Sequence, residues 1–354
     1  MTTQFQEMDQ TKLKYHPRRI ADWLEGKDIY PLHVDVGPSN GCVYRCKHCY
    51  LKHLGHEPKM LSRDVMLNLM RSFGKVGVKS VFFAGSGEPL LNESVADAAT
   101  EAKKAGVDVA MATNGLLMTA KVADKMVDAL SWVRFSMQGG TAKSYAHLHG
   151  TKETNFFAVR ENLDLLCSLR NQRCPDLKIG VMTCVVPGNE GELTLLANIA
   201  KNAGADYYTI RPPSTNPTRP VYPPLWYGTR LSDNLDDIEE LEDDNFQLII
   251  RRNLFYDMVH REYRKCYSLP FLCQVDGDGS VYACGTFTGN SDYCYGNLNE
   301  MSFEDIWASQ RRKDVMRRIT ESGDFHACDN LCRMHNINKY LWGLKNPPAH
   351  VNFI

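Results

Sequence analysis

No stretch of this 354-residue chain approaches the ~18 consecutive apolar residues that a membrane-crossing helix needs. No sign of charge dominates either. The 41 Lys and Arg against 42 Asp and Glu leave a net charge of −1, too balanced to recruit nucleic acid or an anionic membrane through a broad basic field. The opening residues, "MTTQFQEMD", lack the apolar run of a secretion signal. Internal repeats and low-complexity tracts are missing as well. These absences predict a soluble, cytoplasmic protein with no nucleic-acid or membrane partner. Hydrophobic residues make up 43% and charged residues 23% of the chain, within the globular range. Its length suffices for one large domain or two ordinary ones.

Cysteine, by contrast, is abundant. There are 12, and in a reducing compartment clustered thiols read as metal ligands rather than disulfides. "GCVYRCKHCY" (41–50) places Cys42, Cys46 and Cys49 within ten residues. A structural zinc takes four ligands and a disulfide two. Three thiolates hold three irons of a [4Fe–4S] cluster and leave the fourth iron open. The alternative is a zinc site completed by His48 or a distant residue. Cys167 lies on an apolar helical face and reads as a small buried hydrophobe, and Cys174 as a loop thiol. Cys266, Cys273, Cys284 and Cys294 form a later group, followed by Cys328 and Cys332.

From about residue 31, short apolar runs alternate with helical patterns. Residues 32–36, 80–84, 108–112, 132–136, 178–183 and 207–210 read as strands. Residues 62–76, 94–105 and 192–203 carry a helical period. Such repetition implies a parallel sheet covered by helices. Six units would make a partial β/α barrel, and an open doubly wound sheet fits the same pattern. The repetition stops near Arg211. "RPPSTNPTRPVYPPLW" (211–226) reads as a linker or substrate-facing loop, and the acidic run 233–244 as a solvated face. Residues 255–354 show little regularity apart from a helical stretch over 302–319.

With the elements so placed, Cys42-x3-Cys46-x2-Cys49 resembles the signature of the radical S-adenosylmethionine (radical SAM) superfamily, with aromatic His48 before the last cysteine. The likeness runs over roughly residues 31–215. It implies an α/β fold, a partial (β/α)6 TIM-type barrel with the cysteine loop after the first strand. It also implies a [4Fe–4S] cluster whose open iron binds S-adenosyl-L-methionine, and reductive cleavage to a 5′-deoxyadenosyl radical that takes hydrogen from a substrate. Tyr44 and His48 would belong to the cofactor site. Gly85, Ser86, Gly87 and Glu88 of "GSGEP" resemble the family's GGEP motif, which would hold the methionine ammonium. Ser86 stands there in place of a glycine. Asn114 of "TNG" follows the third strand, and Ser136 of "RFSMQ" ends the fourth. Ser136 is expected on the ribose or the methionine carboxylate, with Gln138 beside it. Thr183 ends the fifth strand and is expected to flank adenine. All lie at the strand ends where β/α barrels gather ligands.

Residues 255–335 resemble a Twitch domain, the short form of the SPASM extension. Cys266 and Cys284 flank a hairpin with the turn "DGDG" (276–279), and Cys328 and Cys332 supply two more thiols. "GNLNEMSFEDIW" (296–307) resembles a segment of such chains. The resemblance implies a small cysteine-rich domain holding one auxiliary [4Fe–4S] cluster. Cys273 in place of Cys266 stays open, as does Cys294 as ligand or substrate-facing thiol. A structural zinc on the same four cysteines is the alternative. The implied division is 1–30 as N-terminal extension, 31–215 as barrel, 216–254 as linker and acidic segment, and 255–354 as auxiliary domain and tail.

Hydrogen abstraction leaves a substrate radical. An auxiliary cluster could accept an electron and complete an oxidation, whereas a thiol on the opposite face could return hydrogen and give epimerisation. Cys294 and Cys184 are the candidate donors. Arg211, after the sixth strand, is placed for a carboxylate or phosphate. His147 and His149 could serve as bases but read as structural residues at a helix start. The apolar end, "NPPAHVNFI", is expected to pack. Relatives that modify peptides carry an N-terminal leader-recognition domain, whereas about thirty residues precede the barrel here. The expectation is a dehydrogenase or epimerase acting on a small sugar, aminocyclitol or nucleoside-type metabolite, with flavodoxin or ferredoxin as reducing partner. The alternative is a maturase of a peptide or protein side chain. A non-catalytic iron–sulfur or zinc protein would show eroded cofactor motifs, and these motifs are intact.

Overall fold

In the computed structural model, the structure describes residues 11–214, 236–251, 261–321, 328 and 332–353. A short helix, α1 (Pro17–Leu24), precedes the first strand. The six expected strands form: β1 (His33–Val36), β2 (Ser80–Phe83), β3 (Asp108–Thr113), β4 (Trp132–Ser136), β5 (Lys178–Cys184) and β6 (Tyr207–Arg211). Helices α2 (Arg63–Val76), α3 (Val95–Lys104) and α4 (Ala120–Met126) cross between the first four strands. The crossover from β4 to β5 uses α5 (Ala142–His149) and α6 (Thr154–Arg173), and α7 (Leu193–Asn202) leads to β6. Local chemistry sets the ends. Ser62 caps α2 by accepting the Val65 N–H at 3.3 Å, and Gly77 closes it in the left-handed conformation (φ 79°).

Strand register separates two faces. Val34, Val36, Val81, Phe83, Val109, Met111, Val133, Phe135, Ile179 and Val181 point outward into the main core beneath the helices. The alternate positions, among them Asp35, Phe82, Arg134, Ser136, Cys184 and Arg211, share the inner face. The sheet is curled. Arg333 is ion-paired with Asp35 of β1, yet its charge also acts on Arg134 of β4. In a flat sheet those strands would lie roughly 14 Å apart.

The sheet extends further than the sequence pattern indicates. A seventh parallel strand, β7 (Gln247–Ile250), pairs with β6 inside the segment read as linker and acidic face. The other side of β1 is taken by β8 (Leu272–Val275), also parallel, with Val34 opposite Cys273. Strands β9 (Ser280–Tyr282) and β10 (Cys294–Asn297) then continue antiparallel, giving the order β10-β9-β8-β1-β2-β3-β4-β5-β6-β7. Most of the proline-rich stretch lies outside the described residues.

Two further expectations are corrected. The helical stretch over 302–319 is two helices, Phe303–Ala308 and Gln310–Glu321, because Ser309 is extended (φ −62°, ψ 149°). Its hydroxyl accepts the Arg312 N–H at 3.1 Å and starts the second helix. The C-terminal residues 346–353 are exposed rather than packed. The two helices over 303–321 are tied to the N-terminal segment by Trp307, whose Nε1 donates to the Ile29 carbonyl at 2.7 Å, and by buried Arg312, which pairs with exposed Asp28. Among the described residues no helix is long and apolar enough to cross a membrane.

Candidate active site

The cysteine loop begins where β1 ends, with Gly37 N–H bound to the Val275 carbonyl of β8 at 2.8 Å. Asn40 is held at both ends of its amide. Its Nδ2 donates to Asp276 at 2.9 Å, and its Oδ1 accepts the Gly277 N–H at 2.8 Å. The same Asp276 accepts the Ser86 hydroxyl at 2.7 Å. That bond accounts for a serine where the related motif has glycine: one carboxylate on the β8–β9 turn fastens both the cysteine loop and the loop after β2. At Gly87 the two loops touch through backbone. Glu88 N–H donates to the Gly41 carbonyl at 2.8 Å, and a Cβ on residue 87 would collide with that carbonyl.

Cys42, Cys46 and Cys49 are half-buried and near enough to act on one another electrostatically. Burial pushes the Cys42 thiol up to about 11, and raises Cys46 and Cys49 as well. A dry trio of this kind ionises readily only with a cation to share the charge. Among the described residues no three His, Cys, Asp or Glu side chains converge as a single metal ion requires. Three half-buried thiols on one loop are the donor set that would hold a metal cluster.

The other residues expected at the cofactor divide into two groups. Glu88 is buried and accepts hydrogen bonds from Thr113 Oγ1 at 2.6 Å, Asn114 N–H at 2.8 Å and Leu90 N–H at 3.2 Å. Its carboxylate therefore braces the end of β3 rather than standing free for an ammonium. Gln138 accepts the Cys184 N–H at 2.6 Å and so ties β4 to β5. Thr183 is fully buried on the outer face, where its hydroxyl donates to the Met137 carbonyl and accepts from Tyr208. Tyr44 is buried against Tyr145, which donates to its hydroxyl at 3.2 Å. These four side chains are engaged in shaping the site. The hydroxyl of Ser136, half-buried on the inner face, makes no hydrogen bond among the described residues, and the Asn114 Nδ2 is buried without a partner. Half-buried His48 is held neutral, its pKa pulled down to about 4 by desolvation. His147 and His149 lie in the last turn of α5, not at a helix start. His149 is buried, and its Nε2 accepts the Gln138 N–H at 3.0 Å.

A second thiol group gathers beyond the barrel. Cys266, Cys284, Cys328 and Cys332 act on one another electrostatically, and burial raises the thiol pKa of Cys266, Cys328 and Cys332. Cys266 is further approached by the Ser268 hydroxyl at 3.4 Å. Cys273 is absent from this group because its place on β8 turns it outward into the apolar core. Cys294 is absent too. It lies on β10, the last strand at that edge of the sheet, with its thiol on the Gly296 carbonyl at 3.3 Å. By register Cys294 shares the face of Tyr282, Gln274 and Asp35 but stands at the β10 edge of the sheet, whereas Cys184 ends β5 among the parallel strands.

The model of the Radical SAM superfamily matches residues 36–218, just over half of the chain. The chain belongs to the radical SAM superfamily. A second model, of the SPASM iron-sulfur cluster-binding domain, matches residues 266–337. This radical SAM enzyme is similar to the tungsten-containing aldehyde ferredoxin oxidoreductase cofactor-modifying protein of Pyrococcus furiosus, 24% identical over 307 residues, covering 81% of this chain and 83% of the relative. It is also similar to the AdoMet-dependent heme synthase of Methanosarcina barkeri, 21% identical over 318 residues, covering 84% and 87%. Its fold is similar to that of Streptococcus suis SuiB bound to S-adenosylmethionine, with a TM-score of 0.65 at 15% identity, covering 86% of this chain and 72% of SuiB. As a radical SAM enzyme with a SPASM domain, it works with S-adenosylmethionine, a radical SAM [4Fe–4S] cluster and an auxiliary cluster.

Inside the radical SAM barrel the inner face is polar, which an all-apolar strand reading does not anticipate. Thr209 Oγ1 on β6 and Gln247 Oε1 on β7 are buried without hydrogen-bond partners. Tyr207 crosses from β6 to lie over Gly180 of β5, where any side chain would collide with its ring. Glycine at 180 is the sequence trace of that close approach.

Proposed function

We propose that this enzyme abstracts hydrogen from a carbon of a small, polar, sugar- or nucleoside-type metabolite and oxidises or epimerises it. The observation that carries the reading is a set of buried, unpartnered polar atoms: Thr209 Oγ1 and Gln247 Oε1 on the inner face, and Asn114 Nδ2 in the loop after β3. Such groups are costly unless something pairs them, and a molecule rich in hydroxyls and small enough to enter the barrel would do so. In this reading Cys42, Cys46 and Cys49 hold the radical SAM cluster, and Cys266, Cys284, Cys328 and Cys332 hold the auxiliary one. When bound, the first cluster supplies the electron that cleaves S-adenosylmethionine to the hydrogen-abstracting radical. The protein's own task is then to hold the substrate, exclude water and direct the outcome.

For epimerisation, Cys184 at the end of β5 is the thiol that could return a hydrogen atom: its S–H bond breaks, the substrate C–H bond forms, and the external reductant restores the sulfur. Oxidation needs no such donor. The test is an anaerobically reconstituted enzyme given dithionite, S-adenosylmethionine and panels of sugars, aminocyclitols, nucleosides and short peptides in D2O. Formation of 5′-deoxyadenosine coupled to change in one of the small molecules supports the proposal. Coupling to a peptide alone would replace it with the maturase reading. A product lighter by one H2 marks oxidation, and solvent deuterium on carbon marks epimerisation.

A further inference from the structure

The inner face also carries an excess of positive charge that hydroxyl recognition does not explain. Arg134 projects from the middle of β4, opposite Ala112 on one side and Gly180 on the other. Ala112 leaves room on one side, and on the other the Tyr207 ring lies over Gly180. Its guanidinium packs over the Trp132 ring at 5.7 Å. The Nε is sealed from solvent without a hydrogen-bond partner, although the residue as a whole is only half-buried. Among the described residues Arg211, at the end of β6 and in register with Cys184, meets only neutral acceptors, the Pro212 carbonyl at 3.0 Å and the Ser214 hydroxyl at 2.9 Å. The charges of Arg211 and Arg333 both reach Arg134.

Negative charge nearby is scarce. Asp35 is the buried carboxylate among the inner-face strand residues described, and it already takes His33 at 3.0 Å together with Arg333. Arg134 and Arg211 therefore have no carboxylate partner among the described residues. Burial depresses the Arg134 pKa, Arg211 and Arg333 add to this, and Tyr207 and Cys184 oppose it. Half-buried guanidiniums that repel one another, one with its Nε sealed from solvent, are normally paired with an anion. A forked donor over a tryptophan ring, with a second guanidinium on the same face within electrostatic reach, is a donor set suited to a planar or tetrahedral oxyanion.

We propose that Arg134 and Arg211 form an oxyanion-recognition site in the barrel, so that the substrate is a small metabolite bearing a carboxylate or a phosphate. This deepens the proposed function and rests on it for the statement that the bound anion is the substrate. The anion would sit beside Cys184, whose thiol lies within electrostatic reach of both arginines.

The test is calorimetric titration of the anaerobically reconstituted full chain with inorganic phosphate, pyrophosphate, glucose 6-phosphate, glucuronate and, as neutral control, glucose. Saturable binding of at least one anion, weaker or absent for glucose, is expected. Arg134→Gln and Arg211→Gln should each weaken it about tenfold or more, and Arg134→Lys should recover part of the loss because charge returns without the fork. Preference for the phosphates over glucuronate, or the reverse, assigns the anion. No saturable anion binding, or binding unchanged in both Gln variants, overturns the site. Circular dichroism of each variant, and the Arg134→Lys recovery, separate lost recognition from lost folding. Formation of 5′-deoxyadenosine is measured in parallel. If it forms while no anion binds, this inference alone falls; if anions bind but S-adenosylmethionine is never cleaved, the proposed function falls and the site stands.

Discussion

Cys46 Sγ lies 3.3 Å from Nδ1 of His149. Because the Gln138 backbone N–H can only donate, and it points at Nε2, the opposite ring nitrogen must carry the proton of a neutral imidazole. Burial keeps the ring neutral, holding its pKa well below the usual value. Nδ1–H is therefore a donor aimed at the sulfur of the cysteine loop. Hydrogen bonds to cluster sulfurs favour the reduced state, which carries more negative charge. His149→Phe should lower the midpoint potential of the radical SAM cluster in an EPR-monitored titration, and His149→Gln, which retains an N–H donor, should return it toward the wild-type value. Equal potentials in wild type and His149→Phe would remove His149 from any role at the cluster.

Iron content tests the separation of the two thiol groups. Wild type should bind about eight irons per chain, and the triple variant Cys42→Ala/Cys46→Ala/Cys49→Ala about four. Cys273→Ala should still bind about eight, because Cys273 faces the apolar core behind β8. Loss of iron in Cys273→Ala to about four, with a correctly folded chain, would put Cys273 among the ligands. Zinc in place of iron after anaerobic preparation would return both sites to the zinc readings.

The six parallel strands were legible because each is an apolar run between helical stretches, and burial on the outer face demands those residues. β7 was hidden. "QLII" is four residues long and follows an acidic run, so nothing local separates it from a loop. The parallel pairing of β8 with β1 joins residues 33–36 to 272–275, a contact without any local trace. The thiols of both groups were readable from spacing, which is imposed by the ligand they share. His149 was not, because its bond to Cys46 spans 103 positions. Arg134 was hidden for a different reason: inside a strand motif a single charged residue looks like an interruption until the register shows which face it occupies.

Gly87 is where two loops meet without side chains, and alanine there would collide with the Gly41 carbonyl. Gly87→Ala should cost roughly 1–3 kcal/mol by denaturant unfolding and lower iron retention, because the displaced carbonyl is next to Cys42. Gly191→Ala is the matched control, since an added Cβ there meets nothing within 4 Å. Similar losses in both variants would show that the effect is not specific to the contact between the loops.

Cys184 and Cys294 began as equal candidates for returning a hydrogen atom, and the sheet order separates them. Cys294 is on edge strand β10, whereas Cys184 ends β5 in register with Arg211 and its thiol acts on that of Cys46. Burial raises the Cys184 pKa, while Arg211 and Arg134 oppose the rise. The net effect keeps sulfur protonated, the form from which a hydrogen atom can be given. If the wild-type product carries solvent deuterium on carbon, Cys184→Ala should abolish that label while 5′-deoxyadenosine continues to form, and Cys294→Ala should change neither. Undiminished label from Cys184→Ala would exclude it as donor. An unlabelled, dehydrogenated product from the wild type would leave Cys184 no hydrogen to return and make electron removal the second half of the reaction.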